Sequence, residues 1–298
     1  MRNAHLRLLV VTAAISLAAV PVARSSEQVA VNPTGISLAV NDKGEALVTY
    51  TVGGTQKHLL VWNAVNAKPP TKGGEQVAFK LDYSGGYGKY DEEKYWKTFG
   101  GTCQPYNGPA LDWLVKVCKA PDGSYWGLQK WQRELKNYGV PSTGESAAEE
   151  LRVSHWTGGL PVLEMTTDRS NQGLDHLFGT FKYAGKGVYG FASTSAGVPK
   201  DSFGRNIYVD TFDSAYGSGW KRENSFLSHA TNGTFCYLFA KHGEHPNGDG
   251  EKYRATVIGP GVTPDEMWSG KPAGTSAKSQ ADADAAIKAM DDPACKPV

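Results

Sequence analysis

"TYTVGG" (residues 49–54) runs from residues typical of strands into a Gly-Gly pair, and "HLLVW" (58–62) follows closely. Such a run, a two-glycine break and a second apolar run mark a β-hairpin, because a tight turn needs residues that tolerate positive φ. The same grammar returns at "TFKYAG" (180–185), followed by "VYGF" (188–191). Three further matches keep the order. "FKLDYSGGYG", with Asp82, corresponds to "IYVDTFDSAYG", with Asp210; "DGSYWGL" (122–128) to "NGTFCYL" (232–238); and "EELRVS" (149–154) to "EKYRAT" (251–256). Ordered self-similarity of this kind points to duplication. The expectation is an all-β protein of two diverged, antiparallel, sandwich-like repeats, 35–158 and 159–268. A short helical insertion is expected in the first at about 91–118, where "DEEKYWKTF" (91–99) and "PALDWLVKVC" (109–118) have helix-like spacing. From 269 the chain is a polar tail, in which "SQADADAAIKAMDD" (279–292) reads as one short helix.

The N-terminus reads as a secretory signal. Arg2 and Arg7 precede an apolar stretch from Leu8 to Val20, and Ala23 and Ser25 supply small residues for cleavage after position 25. The stretch is shorter than the roughly 20 residues that span a bilayer. Arg2, Arg7 and Arg24 leave with the signal, so the 31 basic residues become 28 against 30 acidic ones. A nearly neutral chain without Lys/Arg clusters argues against nucleic acid or an anionic membrane surface as partner. A secreted, extracellular protein is the expectation, with no membrane insertion after signal cleavage.

Four cysteines suit an oxidising compartment and allow three pairings. Proximity favours Cys103–Cys118, leaving Cys236–Cys295 to clamp the tail. No Cys-x-x-Cys pair suggests a metal, and no phosphate-binding or dinucleotide fingerprint suggests a cofactor.

Asp82 and Asp210, at corresponding places of two repeats, resemble superficially the paired aspartates of an aspartic protease. That chemistry needs Asp-Thr-Gly or Asp-Ser-Gly, whereas here the sequences are Asp82-Tyr83-Ser84 and Asp210-Thr211-Phe212. A bulky aromatic replaces the glycine that lets the two loops approach. The simpler expectation is an aspartate at a strand end, accepting hydrogen bonds from the following turn. The surrounding segment, 200–224, is richer than its counterpart. Arg205, Asn206, Asp210, Tyr216, Trp220 and Arg222 combine aromatic plates with planar hydrogen-bonding groups, the pairing that suits a sugar ring. Were the chain catalytic, Asp210 or Asp213 with His229 or His176 would be the candidates.

The run "SFGRNIYVDTFDSAYGSGWKRENSFLSHATNGTFCY", with "DGSYWGLQKWQ" before it and "YRATVIGPGVTP" after it, resembles secreted bacterial proteins of actinobacterial type. The resemblance implies secretion and carries over no catalytic residue. The expected function is non-catalytic binding of an extracellular or cell-envelope carbohydrate. A secreted hydrolase is the alternative, and a structural or protein-binding role the third.

Overall fold

The computed structural model describes residues 26–66, 77–133, 144–169, 175–187, 192–193, 199–200, 205–224, 228–229, 234–239, 241, 244, 246, 248–258, 264–272 and 281. The described residues are mostly in strands, all paired antiparallel. In the first half these are β1 (Glu27–Val31), β2 (Thr34–Val40), β3 (Ala46–Val52), β4 (Thr55–Asn63), β5 (Phe79–Asp82), β6 (Leu114–Lys119), β7 (Tyr125–Gln132) and β8 (Glu149–Trp156). They form two sheets, ordered β2-β3-β4-β5 and β1-β8-β7-β6. Val48, Leu59 and Val61 of one sheet pack on Trp126, Leu128, Leu151 and Val153 of the other, all fully buried. Each such side chain contributes roughly 1.5–3 kcal/mol by leaving water.

The second half contains β9 (Val162–Arg169), β10 (Asp175–Tyr183), β11 (Lys186–Gly187), β12 (Ala192–Ser193), β13 (Pro199–Lys200), β14 (Asn206–Ser214), β15 (Gly217–Asn224), β16 (Ser228–His229), β17 (Thr234–Leu238), β18 (Lys252–Ile258) and β19 (Glu266–Gly270). One sheet runs β12-β13-β14-β18-β19, with β15 also on β14; the other runs β11-β10-β17-β16, with β9 also on β10. Ile207, Val209, Tyr253, Ala255 and Val257 face Leu177, Phe181 and Tyr237 across a second core. The protein is therefore two sandwiches with separate cores.

The hairpin expectation is met at 49–62, and at 180–187 as far as the described residues reach; "VYGF" (188–191) lies outside them. Gly53 and Gly54 (φ 58° and 75°) close β3 onto β4, and Ala184 and Gly185 (φ 50° and 73°) close β10 onto β11. Positive φ at both turn positions is what the right-handed strand twist selects. After this hairpin the strand orders of the halves differ. β7 and β8 are neighbours, whereas their sequence counterparts β17 and β18 lie in opposite sheets.

Three expectations need correction. The first unit starts before residue 35, since β1 pairs with β8. The insertion is barely helical: α1 (Tyr87–Tyr90), a single turn, precedes it, and within it α2 (Tyr95–Thr98) is again a single turn. Within 109–118, residues from Leu114 onward form strand β6 on β7, because "LVKV" alternates and pairing with a buried strand outweighs local helix spacing. The second unit extends to Gly270 through β19, which pairs with β18.

Cys103 and Cys118 are disulfide-bonded. Cys236 lies buried on β17, and Cys295, like residues 1–25, read as a signal, and, apart from Ala281, the segment 279–292, read as a helix, falls outside the described residues. No helix among the described residues is long and apolar enough to cross a membrane.

Candidate functional site

β14 sends alternate residues to opposite sides. Ile207 and Val209 enter the second core, which turns Asn206, Tyr208 and Asp210 toward the first sandwich. β18 does the same with Arg254, Thr256 and Ile258, and β15 with Trp220 and Arg222. Trp131 of β7, Tyr208 and Ile258 cluster with Trp113 to join the two sandwiches. Polar bonds reinforce the joint. Gln129 Nε2 donates to the carbonyls of Asp112 (2.7 Å) and Asp265 (3.0 Å), and the Met267 N–H donates to Asp112 Oδ2 (2.9 Å).

Beside this joint opens a cleft of about 370 Å³ whose walls include Trp113, Trp131, Trp220, Arg222, Arg254 and Thr256. Trp113 and Trp131 lie with ring centroids 5.8 Å apart. Trp113 is held at φ 53°, a left-handed conformation that bulky residues seldom adopt. The Lys130 N–H, donating to the Trp113 carbonyl at 3.0 Å, helps to hold it there. At the rim Lys130 pairs with Glu149.

Asp210 answers the question its sequence context raises, and the answer differs from the strand-end turn expected. It lies mid-strand, fully buried, between two guanidiniums: Arg222 Nε donates to Oδ1 at 2.6 Å and Arg254 Nε to Oδ2 at 2.7 Å. Arg222 lies 3.6 Å from the Tyr208 ring centroid, and Arg254 4.4 Å from that of Trp220. Burial pushes the Asp210 carboxyl up, but the charges of Arg222 and Arg254 outweigh it and leave the group below its ordinary value. The turn-capping role belongs to Asp82 alone of the pair: its Oδ1 accepts from the Ser84 N–H (2.9 Å) and its Oδ2 from the Lys89 N–H (3.0 Å).

Of the six residues singled out for ligand binding, Asp210, Trp220 and Arg222 meet at the cleft. The other three do not line it. Arg205 is buried, 4.8 Å from the Phe181 ring centroid. Asn206 donates to the Tyr208 hydroxyl at 3.0 Å. Tyr216 sits in the β14–β15 turn and donates to the Pro246 carbonyl at 2.6 Å. The catalytic candidates are dispersed as well. Asp213 is exposed, and its Oδ1 caps the Gly219 N–H at 2.6 Å. His176 and His229 belong to strands of the opposite sheet from Asp210. Trp113, Trp131, Arg254 and Thr256 were not singled out, although "YRATVI" alternates so that Arg254, Thr256 and Ile258 share a face. Among the described residues no cluster of three His, Cys, Asp or Glu could hold a metal.

A wider hollow of about 660 Å³ lies between Asn66, the 157–160 linker and the β10–β11 turn. Among the described residues Tyr183 is its sole aromatic and no arginine lines it, so the smaller cleft has the richer chemistry.

On the other side of β15, facing away from the cleft, Glu223 is fully buried and its carboxyl is pushed up to about 7. Burial is the largest cause; hydrogen bonding with Tyr216, the Gly248 N–H and Tyr237 opposes it only in part. Because the folded state holds this proton more tightly than the unfolded chain, whose value is near 4.5, the contribution to stability is fully present below about 4.5. It declines as pH rises and is gone above about 7, an effect on the order of 3 kcal/mol. Melting curves between pH 4.5 and 8 should show Glu223→Gln flattening this decline; an unchanged profile would refute the assignment to Glu223. Asp210 acts in the opposite sense, its stabilisation present above its ordinary value and lost as pH falls through the lowered one.

Compared with known proteins, the chain matches no family model, no curated protein and no solved structure.

Proposed function

We propose that this is an exported, non-catalytic protein that binds an extracellular or cell-envelope saccharide in the cleft between its two sandwiches. The observation that carries the reading is the gathering of three tryptophans, one from each side of the joint and one from the loop before β6, around two arginines in a single hollow. Indole faces stack on the apolar face of a sugar ring, and the fixed fork of a guanidinium bonds its oxygens. Export is supported by the leader-like residues Arg2, Arg7 and Leu8 to Val20, and by the Cys103–Cys118 bond, which persists in oxidising compartments. The matched hairpins at residues 49–54 and 180–185 support descent from a duplicated unit whose later strands diverged.

The hydrolase alternative needs a proton-donating carboxyl in the cleft. Asp210 is held ionised there by its arginines, and Glu223, which does hold a proton near neutrality, faces away. The test is retention of the mature protein on insoluble cell-wall material and common polysaccharides, with the supernatant assayed for released sugar. Retention without release is expected, and Trp220→Ala should weaken it about tenfold or more, the effect of losing one stacking plate of 1–3 kcal/mol on the scale known for base–aromatic stacking. Sugar release by the intact protein would establish the hydrolase instead. Absence of both retention and release would turn the search to protein partners.

A further inference from the structure

We propose that the saccharide bound in the cleft is acidic, a uronate whose carboxylate lies against the terminal N–H groups of Arg254 and Arg222 and the Thr256 hydroxyl. This rests on the carbohydrate reading above and adds the chemical class of its ligand.

The charges come first. One carboxylate, Asp210, stands between two guanidiniums, so the triad at the cleft wall has a net charge of +1. Lys130 and Glu149 at the rim neutralise each other and do not balance it. A positive charge held out of water without a full counter-charge is unfavourable, and an entering anion removes that penalty. The geometry of the donors agrees. Arg254 spends only its Nε on Asp210, and its two terminal nitrogens bond no described residue. Arg222 gives Asp210 its Nε and, at 3.5 Å, one terminal nitrogen, which leaves the other for a ligand. A carboxylate matches such planar donors in paired fashion, as a sugar hydroxyl does not.

Thr256 is an independent observation. It lines the same cleft, is 2% exposed, and its Oγ1 has no hydrogen-bond partner. A buried hydroxyl without a partner calls for an explanation, and a ligand oxygen in the cleft supplies one. The tryptophans complete the argument. A simple inorganic anion would use the arginines and leave the partly exposed indoles of Trp113 and Trp220 at the cleft unused, whereas a neutral sugar would use the indoles and leave the charge unbalanced. A uronate ring uses both.

The experiment is titration calorimetry with oligosaccharides of galacturonate, glucuronate and mannuronate, each paired with its carboxyl-reduced counterpart, which keeps ring and linkage and removes the charge. At least one acid form should bind about 10- to 100-fold more tightly than its reduced partner, the range for a hydrogen-bonded charge. Arg254→Gln should abolish that preference. Thr256→Val should weaken binding of the acid form severalfold without lowering the melting temperature, because the hydroxyl it removes has no partner in the free protein; this variant keeps the test decisive if Arg254→Gln folds poorly. Equal binding of acid and reduced forms would overturn the acidic specificity while leaving saccharide binding in place. A preference that survives in well-folded Arg254→Gln would overturn the assignment to this cleft. Binding of neither form of any oligosaccharide, by a protein also not retained on neutral polysaccharides, would overturn both readings.

Discussion

Asp210→Ala should destabilise the folded protein by about 3–5 kcal/mol, the range for removing one partner from a buried ion pair. The loss has two parts. The salt bridges of Arg222 and Arg254 disappear, and two guanidiniums whose side chains are only 6% and 14% exposed are left facing each other without a counter-charge. For a chain of this size the melting temperature should fall on the order of 10 °C. The size of the loss comes from the orphaned charges, so relieving them should restore stability. Arg254→Met added to Asp210→Ala should recover part of it, and the coupling between the two sites should exceed about 1 kcal/mol in a double-mutant cycle. A loss below about 1 kcal/mol for the single variant would mean that water solvates the guanidiniums freely, and the account of a desolvated triad would fail.

The second large effect concerns the Cys103–Cys118 bond, which closes a loop with a sequence separation of 15. Restricting the unfolded chain by a loop of that length is worth about 3 kcal/mol. Cys103→Ala with Cys118→Ala should lose about that amount in urea unfolding, with some further loss because Cys118 is fully buried in the first core. The wild-type protein in reductant should behave similarly, and equal stability with and without the bond would show that the loop is held by its other contacts. The loop also carries Trp113, so on the proposed saccharide reading the variant should bind more weakly than its stability alone explains.

How much of this the sequence disclosed depends on the range of each interaction. The hairpins at 49–54 and 180–185 were legible because a tight turn is local: Gly53-Gly54 and Ala184-Gly185 carry their own signal. Asp82 was legible for the same reason, since its partners Ser84 and Lys89 lie within seven residues. Asp210 was not. Arg254 reaches it only because β18 lies beside β14, a pairing across a long connection that alternation cannot reveal. Residues 109–118 misled in the same way: spacing suggested a helix, and the neighbour β7 decided for a strand. Trp220, Arg222 and Asp210 could be grouped in advance because they lie close in sequence, whereas Trp113 and Trp131 join them only through the packing of one sandwich on the other.

The division of the cleft between two sandwiches has a consequence for the order of events during synthesis. Trp113 and Trp131 are made before β8 is complete, Trp220 and Arg222 well after it, and Arg254 and Thr256 later still, on β18. A nascent chain can thus assemble its first core before the cleft exists. On the proposed saccharide reading, recognition arrives late, once β18 pairs with β14, so that a chain stopped or clipped before β18 should be inert toward saccharide rather than weakly active.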